Sequence, residues 1–207
     1  MIRFRRVSAF AVIKTMKQIV TLFLFFFILG LPAGADWFAP HADDAERFAE
    51  IYPVSRDNPF IFGTYEELIT QLRWGTGVVV FAFPACPRCR NAFPVLEQAF
   101  KEMDMERHAG LRGRILYYDI FDDREANNER YQTIVGYLKD HLPLDADGNP
   151  RIYSPHVFFL ASGVIVGNHL DTVPSLTNPR DLLNEEQKAE LLKIYKDLIE
   201  IVEDCLC

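Results

Sequence analysis

Four cysteines are the residues of this 207-residue chain best suited to chemistry: Cys86 and Cys89 in Cys86-Pro87-Arg88-Cys89, and Cys205 and Cys207 in Cys205-Leu206-Cys207. Two thiols three residues apart share one face of a helix and lie within reach of a disulfide bond. Disulfide exchange asks more of them: one must attack as a thiolate and the other must resolve the mixed disulfide. Cys86 follows the apolar run Val78-Val79-Val80-Phe81-Ala82-Phe83 and precedes a helical pattern, so it falls at a strand-to-helix junction. Unpaired backbone N–H groups and the positive end of the helix dipole favour an anion there. Arg88 adds a permanent positive charge inside the motif. These effects predict a Cys86 thiol that is exposed at the tip and more acidic than a free cysteine, whose pKa is about 8.5. Cys89, one turn further in, is the resolving thiol.

The same cysteines admit uses other than exchange. A C-x-x-C pair is half of a zinc site, and Cys205 with Cys207 would complete a four-thiolate set. Against this, one pair would sit at the end of a buried strand and the other on a distant tail. A purely structural Cys86–Cys89 disulfide would close too small a loop to stabilise much. Cys205 and Cys207 form a candidate second thiol pair that could exchange with Cys86; the plainer reading is a frayed end. Among the histidines, His156 is expected near the site, whereas His108, His141 and His169 read as surface residues. No histidine spacing suggests a metal. Asp145 and Asp147 open a calcium-like loop without its terminal glutamate or helix flanks.

The positioning elements follow from patterning. Ala45, Phe48, Ala49 and Tyr52 give residues 43–52 a helical pattern that Pro53 ends, and an irregular stretch reaches Pro59. Thr64 with Glu67 is a capping box opening a helix through about Arg73. Residues 78–83 read as a strand buried on both faces. A helix follows from about Pro87 to Met103, with Pro87 suited to the first turn and Pro94 expected to kink it. Residues 114–120 form the next strand, and a polar stretch leads to a helix over about 126–141. His156–Leu160 and Val164–Val166 read as a hairpin, 170–183 as a polar insertion, and Asn184 with Gln187 as the cap of a last helix. Strands separated by helices, then a hairpin, predict a mixed α/β sheet with helices on both faces.

The segment Val78 to Phe100 resembles thioredoxin: an apolar strand, Cys-Pro-Arg-Cys, and Pro94 five residues after the second cysteine. With Pro155 and the last helix, the resemblance covers about residues 62–204. Asp57-Asn58-Pro59-Phe60 and the long segment before Pro155 are similar to secreted or membrane-anchored thioredoxin-fold proteins of bacteria, including bacteriocin-accessory types. The resemblance implies a thioredoxin fold and reversible exchange with protein thiols or disulfides, with Cys86 attacking, Cys89 resolving and no bound cofactor. An X-Pro bond is cis in only about 5–6% of cases in folded proteins, so Ser154-Pro155 taken alone reads as trans. Its place before an apolar strand resembles the family's cis-proline loop, which implies that Ser154 and Pro155 bind substrate backbone as an added strand. The chain departs from the family at three points. Ala85 stands where thioredoxin has Trp, Val80 stands where it has a buried Asp that moves protons, and 65 residues separate Cys89 from Pro155.

The amino-terminal end reads as an export signal. Arg3, Arg5, Arg6, Lys14 and Lys17 precede an uncharged run, Ile19 to Leu31, and then Pro32-Ala33-Gly34-Ala35. Its 13 apolar residues fall short of the roughly 20 a spanning helix needs. Cleavage after Ala35 is expected; the alternative is an uncleaved membrane anchor. The expected organisation is therefore 1–35 signal or anchor, 36–61 extension, 62–204 thioredoxin-like domain and 205–207 Cys-Leu-Cys tail, in a protein secreted or held at the cell membrane. Five of the 22 basic residues and none of the 29 acidic ones precede Asp36, leaving 17 against 29 and a formal charge of −12 beyond it. That balance argues against nucleic acid as a partner. Export would place all four cysteines where disulfides persist.

Overall fold

A computed structural model describes residues 43–103 and 113–205; the expected signal segment, His108, Leu206 and Cys207 lie outside the described residues. Val78–Ala82 supplies no polar side chain, and the strand it forms, β2 (Gly77–Ala82), is buried along its whole length. It pairs in parallel with β3 (Ile115–Asp119) and antiparallel with β4 (His156–Ala161). The outer strands are β1 (Phe60–Phe62), parallel to β3, and β5 (Val164–Leu170), antiparallel to β4. The sheet order is thus β1-β3-β2-β4-β5. Ser162 and Gly163, at φ of 51° and 79°, turn the β4–β5 hairpin through the left-handed region that a tight two-residue connection requires.

Alternating side chains along the strands divide the core into two layers. Helices α1 (Asp44–Ile51), α3 (Cys89–Glu102) and α6 (Glu185–Asp204) cover the face bearing Val78, Val80, Tyr117 and Val157. Helices α2 (Tyr65–Trp74) and α5 (Glu129–Leu138) cover the face bearing Val79, Phe81, Leu116 and Phe158. The capping boxes read from the sequence both form, Thr64 with Glu67 and Asn184 with Gln187. This mixed α/β architecture, with helices on both faces, is consistent with a thioredoxin-like fold. Among the described residues no helix is long and apolar enough to cross a membrane.

Three local differences from the sequence reading have physical causes. Phe60–Phe62, to which the sequence reading assigns no element, is a strand. Asn58 directs it, with Oδ1 accepting from Phe60 N–H at 3.1 Å and Nδ2 donating to the carbonyls of Ala45 and Ser55, each at 2.7 Å. The stretch 121–128 contains a short helix, α4 (Phe121–Glu125); Asn127, at φ 44°, breaks it, and Asn128 caps α5 through Tyr131 N–H. The stretch 170–183, read as a polar insertion, is in part core: Leu170 still belongs to β5, and Val173, Leu176 and Leu183 are buried in the same layer as α3.

Residues 44–62 are also part of the core. Phe48 stacks on Phe60 at 4.2 Å and meets Tyr52, Phe62, Phe93 and Tyr117 at 4.8–5.7 Å. Glu97 on α3 accepts from Ser55 N–H at 3.1 Å and takes Lys101 Nζ at 3.0 Å, tying the connection after α1 to the helix that carries the cysteines. Phe48→Ala should lower the free energy of unfolding by about 3–5 kcal/mol in urea denaturation. A loss below about 1 kcal/mol would show that α1 is not packed as described.

Candidate redox site

The main chain leaves β2 at Ala82, turns so that Cys86 N–H donates to Phe83 C=O at 3.0 Å, and enters α3 at Cys89. Pro87 and Arg88 therefore occupy the turn just before the helix, which begins two residues later than the sequence pattern placed it. Cys86 and Cys89 form a disulfide with their Cα atoms 5.4 Å apart. The first free N–H of the helix, that of Cys89, donates to Cys86 Sγ at 3.2 Å. A helix-start N–H, unpaired within the helix, is thus aimed at the first sulfur.

Two expectations about Cys86 need correction. The residue is 1% exposed and Cys89 is 0% exposed, so the disulfide does not stand open at the tip. Both share a buried layer with Val173, Leu176 and Leu183 of the 171–184 segment. Asn91, in the first turn of α3, holds that segment: Nδ2 donates to Asp181 C=O at 2.8 Å and Oδ1 accepts from Leu183 N–H at 3.2 Å. The second correction concerns Arg88. Its guanidinium is not a lone cation beside the sulfur but is ion-paired with the Asp171 carboxylate. Asp171 was invisible as a site residue in the sequence, because only the β4–β5 hairpin brings position 171 back to the helix start.

The Ser154–Pro155 peptide bond is cis, as the family resemblance implied and residue statistics did not. Pro155 C=O accepts from Asp171 N–H at 2.8 Å, so the proline loop, Asp171 and Arg88 form one connected unit. Beside it lies a cleft of about 500 Å³. Its lining includes Arg88, Ser154 and Asp171 together with Phe83, Arg124, Leu144 and Tyr153. Leu144 is 63% exposed and Tyr153 38%, so part of that lining offers apolar surface to solvent. The cleft stops short of the sulfurs, since neither cysteine lines it.

The remaining candidates fall into place around this unit. His156 is fully buried, with Nε2 at 3.0 Å from Asn168 Oδ1, and burial pulls its pKa down to about 4. His169, expected at the surface, is half-buried; Nε2 lies 2.7 Å from Thr172 C=O and the ring meets the edge of Tyr195 at 5.7 Å. His141 is exposed, as expected. Val80 is fully buried between Tyr117 and Val157, so no carboxylate occupies the register position behind the cysteines. Cys205 is an exposed free thiol at the end of α6, and its expected partner Cys207 lies outside the described residues. Among the described residues no group of three His, Cys, Asp or Glu side chains could hold a metal ion.

No family model matches the chain, and no curated protein matches it. The site therefore rests on its own geometry.

His156 gives that geometry a pH signature. It folds neutral, and its folded pKa of about 4 lies below the unfolded value of 6.5, so the unfolded state binds the extra proton. Its contribution is full above pH 6.5 and is lost as pH falls toward 4. The stability of the unmodified protein should drop by up to about 3 kcal/mol more than that of His156→Gln across this window. Parallel stability profiles for the two proteins would show that His156 is not buried neutral beside the proline loop.

Proposed function

We propose that the protein is a thiol–disulfide oxidoreductase of thioredoxin-like fold that exchanges disulfides with protein substrates outside the cytoplasm. The observation that carries this reading is the Cys89 N–H donating to Cys86 Sγ at the start of α3. In the dithiol form, the Cys86 thiolate attacks one sulfur of a substrate disulfide. A bond forms between Cys86 and that sulfur, and the other substrate sulfur leaves as a thiolate that takes up a proton. Cys89, giving up its proton, then attacks Cys86 Sγ and releases the second substrate thiol. The protein's two thiols are oxidised to the disulfide, and the substrate's disulfide is reduced to two thiols; the reverse sequence oxidises the substrate. Substrate backbone would lie along Ser154 and Pro155 as an added strand, with its side chains in the adjoining cleft. The amino-terminal basic and apolar segment supports export, either as a cleaved signal or as a membrane anchor. No cofactor is needed for this chemistry.

A second reading is favoured by the burial of Cys86. A thioredoxin-fold binding module, serving as an accessory to an exported peptide, would use the Ser154–Pro155 edge with the covered disulfide as a local brace. Turnover and trapping separate the two. Under the first reading, Cys86→Ser abolishes insulin disulfide reduction by dithiothreitol-coupled turnover, a loss of at least 100-fold on the order expected when a nucleophile is removed. Cys89→Ser should accumulate mixed disulfides through Cys86 that are visible on non-reducing gels. If the unmodified protein gives no turnover and a partner peptide stays bound when both cysteines are serine, the binding module is the function.

A further inference from the structure

Asp171 occupies a position that no ordinary surface aspartate would hold. It lies one residue past β5 at φ 73°, in the left-handed region that side chains other than those of Gly, Asn and Asp rarely adopt. Three groups fix it there. Its N–H donates to Pro155 C=O at 2.8 Å, its Oδ1 accepts from Thr172 N–H at 2.8 Å, and its Oδ2 binds Arg88 Nη1. The carboxylate is thus anchored on the proline loop before it reaches the C-x-x-C motif. With side-chain exposures of 26% for Arg88 and 39% for Asp171, the pair is too wet to add much to folding stability. Its effect is on where a charge sits. Arg88 would otherwise be the one formal cation inside the motif, next but one to the reacting sulfur.

We propose that Asp171 is a positioning residue of the exchange reaction: it binds Arg88, offsets that charge, and so keeps Cys86 a weaker acid than the motif alone would make it. This rests on the exchange reading above. Only the dithiol form carries a thiolate on Cys86, so a bare Arg88 would stabilise that form alone and make the disulfide more oxidising. With Asp171 in place, the pair presents nearly no net charge, and the Cys89 N–H remains the principal stabiliser of the anion. Other titratable or charged groups come from each neighbouring element: Arg124 across the cleft, which pairs with Glu125 at 3.2 Å; His169 on β5; His156 on β4; and Tyr195 on α6. Burial holds both histidines toward their neutral forms; Arg90, exposed on α3 next to Cys89, and Arg124 are present in every variant below, so substitutions at Arg88 and Asp171 change the local balance against a constant background.

The test reads the acidity of Cys86 itself, in the full chain after reduction, by its alkylation rate against pH with peptide mass mapping to separate it from the other cysteines. Asp171→Asn leaves Arg88 unopposed and should lower the midpoint by about one pH unit. It should also shift the equilibrium with glutathione toward the dithiol by up to about tenfold, roughly 30 mV. Asp171→Glu should restore both. Arg88→Gln leaves the carboxylate unopposed and should move the midpoint upward, and adding Asp171→Asn to it should bring the midpoint back toward that of the unmodified protein. An unchanged midpoint in Asp171→Asn, or a double variant that stays at the Arg88→Gln midpoint, would overturn the assignment. If Asp171→Asn alone does not fold, the comparison of Arg88→Gln with the double variant decides by the same criterion. A protein that turns over no disulfide yet shows these shifts loses the enzymatic reading and keeps the charge assignment.

Discussion

One hydrogen bond, from Cys89 N–H to Cys86 Sγ, is the point on which the rest of the structure converges. It exists because a helix begins where its backbone has no carbonyl to pair with, and because the preceding strand delivers a sulfur to that spot. Strand β2 can do this only if it is held rigidly. It is the central strand, flanked by β3 and β4, and every one of its residues is buried. Helix α3 is held as firmly, with Phe93 and Leu96 fully buried against the sheet and Glu97 fastened to Ser55. The two sulfurs therefore face different surroundings although they share a turn. Cys86 has a donor on its sulfur, while Cys89 is fully buried in the apolar layer that includes Val80 and Val157. Under the proposed exchange reaction, that asymmetry makes Cys86 the attacking thiol and Cys89 the resolving one.

The elements that position the site were legible because their signals are local. An unbroken apolar run, two capping boxes and a Cys-Pro-Arg-Cys at a strand end each depend on residues within a few positions of one another. Strand β1 was not legible: three residues, Phe60–Phe62, are too few to show alternation, and their strand character comes from pairing with β3 and from the Asn58 turn. The 171–184 segment misled for the opposite reason. Its composition is polar, yet Val173, Leu176 and Leu183 recur without helical or strand period and are buried all the same. Burial of irregular chain is set by what the chain crosses, which no local pattern records. The burial of Cys86 is hidden from the local sequence pattern for the same reason.

The two sides of the site are unlike. Both cysteines are buried in the layer that includes Val173, Leu176 and Leu183, and Asn91 fastens the same segment through Asp181 and Leu183. Pro155 is buried as well, while Ser154, Arg88 and Asp171 line a cleft with the exposed Leu144 and Tyr153. The cleft and the disulfide are therefore separate features, since neither cysteine lines it.

Asp171 stands where the proline loop, the motif and the 171–184 segment meet. It pairs with the cation of the motif and hydrogen-bonds to the proline loop, so its place is set by the end of the β4–β5 hairpin rather than by the residues that follow it. Those residues act differently: Val173, Leu176 and Leu183 belong to the buried apolar layer that also holds both cysteines. Charge and burial at the motif thus have separate structural sources although they enter from one stretch of chain, in a fold whose central strand offers Val80 in place of a buried acid.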